Sequence, residues 1–213
     1  WIFESTMSST RRFPLLLIGA FVALYFVWGS TYLFIRIGVE SWPPMLMAGV
    51  RFLIAGGLLY GFMRWRGAPS PSWPQWRAAG LVGFLLLSCG NGGVTIAEHA
   101  GVASGVAALA VATVPLFTLV FGLMFGYRNS GLEWAGIVLG LTGIGLLNLG
   151  SNLQASPLGA ALLIFAAASW AFGSVWSKRL PMPPGPMASA AQMLVGGTAL
   201  LLGSLLSGER MTQ

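Results

Sequence analysis

Few residues in this sequence could do chemistry, and most of them fall in apolar surroundings. Histidine occurs once, as His99, and cysteine once, as Cys89. Aspartate is absent, so the acidic residues are Glu4, Glu40, Glu98, Glu133 and Glu209. A His-x-x-x-His metal pair, a cysteine metal site and an aspartyl dyad are therefore excluded. There is no Gly-x-Ser-x-Gly and no phosphate-loop lysine. Gly143-x-Gly145-x-x-Asn148 fails the dinucleotide fingerprint at its third glycine. The only lysine, Lys178, sits between apolar runs, which removes a Schiff base in the last helix. An enzyme, a metal and a cofactor are not expected.

What remains suits the binding and movement of a solute. Arg51 stands inside an apolar run, and an intramembrane arginine costs about 2.5–3.5 kcal/mol on insertion scales. It either snorkels to an interface or ties to backbone carbonyls, or it serves a substrate or a gate. Glu98 and His99 end an apolar stretch, as a solvated helix-end pair or as the titratable group that proton-coupled transport needs. Adjacent helical residues point in different directions, so at most one of them faces a cavity. Trp28, Ser30, Tyr32, Asn91, Thr95, Trp170 and Ser174 supply aromatic faces and hydrogen-bonding groups, either to line a cavity or to pack helices. Pro115 interrupts a helical run, as a fixed kink or as a hinge.

The elements that must position these residues are membrane helices. The chain is 56% hydrophobic and 8% charged, with a mean hydropathy of +0.79. A soluble domain needs about 25% charge to solvate its surface. The net charge of +6 is spread in ones and twos between apolar blocks, which argues against nucleic acid and for membrane orientation. Segments near 14–35, 45–63, 77–97, 102–126, 132–149, 157–176 and 187–206 are each long enough to span a bilayer. The expected fold is an all-α integral membrane helix bundle with seven transmembrane helices. Proline clusters at Trp42-Pro43-Pro44, at 69–74 and at 181–186 separate helices. Residues 1–6 precede Met7, a plausible start, and Arg11-Arg12 reads as an orientation charge ahead of a retained first helix.

With the N-terminus cytoplasmic, Arg11, Arg12, Arg64, Arg66, Arg77, Arg128, Lys178 and Arg179 fall inside, and only Arg36 and Arg210 outside. In that orientation Arg51, in the outer half of the second helix, and Glu98, at the outer end of the third, arrive at the same level and are candidate partners at the outer mouth of a cavity. Trp28 through Arg36, a proline pair and Arg51 through Gly57 reappear loosely as Trp170 through Lys178, a proline cluster and Gln192 through Gly197. Five helices separate the copies, so the second copy is inverted, a hallmark of secondary transporters. Gly57-x-x-x-Gly61, Gly122-x-x-x-Gly126 and Gly136-x-x-x-Gly140 read as close helix packing within the chain, with a homodimer face as the alternative.

Trp28-Gly-Ser-Thr31, Ala48-Gly-Val-Arg51-Phe-Leu, Ala112-Thr-Val-Pro115-Leu-Phe-Thr118 and Trp134-Ala-Gly-Ile-Val-Leu-Gly140 resemble the EamA family of the drug/metabolite transporter superfamily, and its inner-membrane permeases in particular. The resemblance implies ten helices in two inverted five-helix repeats about a central cavity. It also implies efflux or facilitated passage of metabolites, amino acids or drugs across a bacterial inner membrane. The division expected is a cytoplasmic segment 1–12, a first repeat 13–150 with five helices, the start of a second repeat 157–207, and a loop 208–213 at which the second repeat is cut short. The Gly-Glu-Arg turn of many relatives reads Gly126-Tyr-Arg128 here, with Glu133 displaced into the next helix, so a coupling role does not carry over to it. A nucleotide-sugar or phosphorylated-metabolite carrier is the alternative within transport, although it wants several cavity cations and only Arg51 is at hand. A non-transporting scaffold or fragment is the alternative outside it.

Overall fold

A proline stands in the first turn of four of the helices, where a missing N–H is harmless, and these prolines set the frame of the bundle. The computed structural model describes residues 9–147 and 156–209. Among them every regular element is helical. They are α1 (Ser9–Ser41), α2 (Pro44–Trp65), α3 (Trp73–His99), α4 (Ser104–Met124), α5 (Gly131–Leu147), α6 (Pro157–Ser177) and α7 (Pro186–Ser207). All but α5 are long and apolar enough to cross a membrane. The expected end of α5 at 149 lies outside the described residues, as do residues 1–8 and Arg210.

Helix ends differ from expectation where local pairs decide them. The first helix does not stop at 35. Arg36 Nε and Glu40 Oε1 pair at 3.8 Å one turn apart, and the helix runs on to the Trp42-Pro43-Pro44 break. Ser72 starts α3 by donating its N–H to Gln75 Oε1 at 2.8 Å. Within α3, residues Phe84–Asn91 wind as a π-helix, which the sequence reading did not foresee. In α4 the helix breaks at Ala112 and Thr113 and resumes at Val114, with Pro115 in the new first turn. The helix is thus interrupted just ahead of Pro115.

The most extensive packing is between α2 and α7, which run antiparallel. Gly49 lies against Leu201 and the Gly197 carbonyl, and Gly56 against Met193 and Leu194. The π segment of α3 packs on α6 and α7. Two apolar clusters result, one of Val94, Ala97, Val102, Ala107, Leu163 and Ala166, the other of Ala48, Phe52, Leu87 and Leu200. Large apolar side chains on the perimeter, such as Phe26, Leu58 and Leu206, are exposed, as lipid-facing residues are.

The glycine pairs expected to pack helices together do not. Gly57, Gly61, Gly136 and Gly140 face open space, and Gly126, at φ +78°, closes the C-terminus of α4. A spacing of four marks a smooth stripe but not whether anything covers it. Close approach falls instead to Gly49, Gly56, Gly83, Gly196 and Gly197.

The bundle has two chemically distinct ends. At one, Arg179 Nη2 donates to the Phe125 carbonyl, Lys178 Nζ lies 5.5 Å from the Tyr127 ring, and Tyr60 and Ser70 hydroxyls are 3.3 Å apart. At the other, the Glu209 carboxylate accepts the N–H groups of Met45 at 3.3 Å and Leu46 at 3.1 Å, a negative cap on the N-terminus of α2. The first end carries the basic loops. In a Cys89→Ser background, Ser70→Cys is expected to escape an impermeant maleimide in intact cells while Ala100→Cys reacts. The reverse pattern refutes the cytoplasmic placement of the basic end.

Candidate functional site

Arg51 sits seven residues into α2, about 10 Å along its axis. Its Nη2 donates to Asn91 Oδ1 at 2.6 Å, and its guanidinium carbon is 4.8 Å from the centroid of the Phe52 ring. A charge-assisted bond of that length is the strong kind. The partner expected on level alone was Glu98, and the structure corrects that. The only ion pair within 4.0 Å among the described residues is Arg36–Glu40. Asn91 and Glu98 are seven positions apart on α3, about 10 Å.

Asn91 is the last residue of the π segment. Such segments are rare and recur at functional sites, because they change the phase at which following side chains leave the helix. Hydroxyl bonds to the neighbouring helices hold this one in place. Ser169 on α6 donates to the Leu85 carbonyl at 2.9 Å, and Ser88 donates to the Gly196 carbonyl of α7 at 3.0 Å. Beside Asn91, Gly90 lets the Trp170 ring lie directly on the helix, where a Cβ would come 2.9 Å from it. Trp170 in turn meets Trp28 edge to face, with ring centroids 6.0 Å apart and planes at 61°. A cation–amide pair from α2 and α3 and an indole pair from α1 and α6 thus reach α3 at the neighbouring residues Asn91 and Gly90.

The other candidates are placed as follows. Thr95 is fully buried one turn beyond Asn91, its hydroxyl donating to the Asn91 carbonyl at 2.9 Å. The Ser30 hydroxyl donates to the Val27 carbonyl at 3.2 Å within α1, and Ser174 lies one turn past Trp170 with its carbonyl accepting from Ser177. Neither is tied to the cluster by a hydrogen bond. Tyr32 lies on α1, its side chain outside the described residues. Pro115 is exposed at the break in α4. Glu98 is fully buried, whereas the adjacent His99 is exposed with Nδ1 3.4 Å from the Val39 carbonyl. The two do point apart.

Sequence reasoning missed Arg36, Ser88, Ser169 and Glu209 as structural partners. It also missed the π segment, whose one visible sign is the run Gly90-Asn-Gly-Gly93 inside an apolar helix.

Recesses open on the surface of the described residues, two of them well defined. The larger, about 760 Å³, is a cleft at the basic end lined by Trp73, Trp76, Arg77, Leu81, Leu180 and Val195. The smaller, about 480 Å³, lies at the opposite end beside Glu40, Trp42, His99 and Glu209. Neither includes the Arg51–Asn91 cluster. The cluster is nevertheless the candidate site. It joins a half-buried cation of α2 to an amide of α3 by a hydrogen bond within apolar helices, while the larger cleft offers one exposed arginine.

Residues 15–149 match the EamA-like transporter family. Among curated relatives, an uncharacterized inner membrane transporter of Escherichia coli strain K12, YedA, is 54% identical over 92% of this chain and 64% of its own length. A probable amino-acid metabolite efflux pump of the same strain is 29% identical over 72% of this chain and 50% of its own length. An uncharacterized transporter of Bacillus subtilis strain 168, YoaV, is 24% identical over 74% and 55% respectively. The chain therefore spans 64% or less of the length of these relatives.

Proposed function

The chain belongs to the EamA-like transporter family, and from that premise we propose that it carries small organic solutes outward across a bacterial inner membrane by alternating access. The observation that supports this most is the Arg51–Asn91 pair, set on α3 beside Gly90, against which the Trp28–Trp170 pair packs. A guanidinium beside an amide recognises a carboxylate, and two indoles offer flat apolar surface to the rest of the solute. The substrate class is accordingly amino acids and amphipathic carboxylate metabolites. The name of the amino-acid metabolite efflux pump points the same way. A multiply phosphorylated solute is a poor match, because one arginine supplies the only positive charge in the cluster.

The antiparallel packing of α2 on α7 and the Trp28–Trp170 contact support reading α6 and α7 as inverted counterparts of α1 and α2. Elements related this way rock against each other about a site between them. No chemical change of the solute belongs to this reading.

The test is counterflow. Protein in vesicles preloaded with unlabelled L-amino acids is expected to take up the corresponding radiolabelled ones transiently and saturably, aromatic and branched ones best. Uptake no greater than in protein-free vesicles across the amino-acid set overturns the proposal.

A further inference from the structure

Glu98 has an environment that neither packing nor solute binding accounts for. It is fully buried, and neither carboxyl oxygen has a hydrogen-bond partner among the described residues. An ionised carboxylate so placed would cost several kcal/mol, about what an intramembrane charge costs in general, and such groups neutralise instead.

The charged groups around it are few. The end of α3 packs against α1, α2, α4 and α6. From α1, Arg36 Nη1 donates to the Glu98 main-chain carbonyl at 3.2 Å while its Nε pairs with Glu40. From α2, Arg51 is engaged by Asn91. On α3 itself His99 turns outward. The segments Ser104–Met124 and Pro157–Ser177 contain no acidic or basic residue. Asn91, Thr95 and Glu98 follow one another at spacings of four and three, so they share one face of α3 from the Arg51 cluster to the end away from the basic loops.

We propose that Glu98 is a proton-binding site whose proton is exchanged against the solute, with Arg36 as the counter-charge that takes the proton's place. This rests on the transporter reading above. The carboxylate takes a proton from water at the outer end, forming one O–H bond, and the site then closes over the neutral acid. When the bundle opens to the basic end, that bond breaks and its electron pair stays on the carboxylate. The proton leaves along the Thr95–Asn91 face to cytoplasmic water. The Arg36 guanidinium turns from the Glu98 carbonyl to its carboxylate. One proton moves inward for each solute moved outward, and no other reactant is needed.

The experiment has two arms on the reconstituted protein. In the first, dicyclohexylcarbodiimide, which adds to protonated carboxyls in apolar surroundings, is applied near neutral pH and adducts are located by mass spectrometry. Glu98 is expected to be modified and the exposed Glu40 and Glu133 spared, with the adduct absent from Glu98→Gln. In the second, radiolabelled L-amino acids are followed with and without a pH gradient. Glu98→Gln is expected to keep counterflow and lose gradient-driven movement, and Glu98→Asp to keep both. Absence of the Glu98 adduct, gradient-driven flux in Glu98→Gln equal to the parent, or loss of counterflow in a well-folded Glu98→Gln overturns the proposal. Counterflow in the parent protein that ignores the pH gradient refutes the coupling and leaves the transporter reading standing. Absence of counterflow in the parent protein refutes both.

Discussion

Alanine at Arg51 is expected to reduce amino-acid counterflow by roughly 10- to 150-fold at matched expression. That is the effect of losing a hydrogen bond to a charged group worth about 1.5–3 kcal/mol. The geometry behind it is the 2.6 Å bond from Arg51 Nη2 to Asn91 Oδ1. Asn91→Ala should fall in the same range, because it leaves the guanidinium without its amide and free to take another rotamer. If the two act as a unit, the double variant is little worse than the worse single one. Arg51→Lys should not rescue, since an ammonium on a flexible stem does not reproduce the planar fork that fits a carboxylate. Glu98→Gln combined with Arg51→Ala should show independent effects, because the side chains leave α3 about two turns apart. Strict additivity of Arg51→Ala and Asn91→Ala, or coupling of Arg51 to Glu98 instead, would move the site away from this pair. Both are read from initial rates of radiolabelled uptake.

The position of Arg51 along its helix was legible in the sequence, and its partner was not. Depth follows from counting residues along α2 from the Pro43-Pro44 break, and the helix begins at Pro44 as those prolines require. Partnership depends on the rotation of α3 about its own axis. The π segment Phe84–Asn91 changes that rotation within the helix. Topology alone brings α3 back to the outer end at Glu98 and says nothing of which side chain on the way faces Arg51. The same reasoning separates the two kinds of glycine. Gly57-x-x-x-Gly61 shows in the sequence because both members lie on one helix, yet that face is open. Gly83 and Gly196 meet across two helices and have no spacing to read. What could be read at a distance was the likeness of Trp28 to Trp170. The two rings also meet in space, edge to face with centroids 6.0 Å apart, which supports the inverted pairing proposed above. The one fully buried carboxylate among the described residues was visible only as a helix-end residue, because burial of Glu98 needs the packing of α1, α2, α4 and α6 around the end of α3.

The seam between α3 and α7 is expected to be the least tolerant part of the bundle, and Gly83 its most sensitive position. A Cβ there would fall 2.8 Å from Gln192 Cα, and one on Gly196 would fall 2.8 Å from the Gly83 carbonyl oxygen. In both cases the obstacle is backbone, which yields only if a whole helix moves. Overpacking of this kind costs about 1–3 kcal/mol, more than the roughly 0.5–1 kcal/mol that alanine gains over glycine in a helix. Gly83→Ala should therefore lower the thermal midpoint in detergent, and Gly83→Val should prevent recovery of a monodisperse protein. Gly57→Ala, where a Cβ meets nothing within 4 Å, should keep or raise the midpoint. The functional consequence follows from position, since Gly83 immediately precedes the π segment that ends at Asn91. A shift of α3 away from α7 at this point changes the direction from which Asn91 meets Arg51. Gly83→Ala should then lose counterflow beyond what its stability loss explains, at a temperature where it is still folded. A thermal midpoint and a counterflow rate both equal to those of the parent protein would show that the seam is looser than the helix spacing requires, and that the π segment does not depend on it.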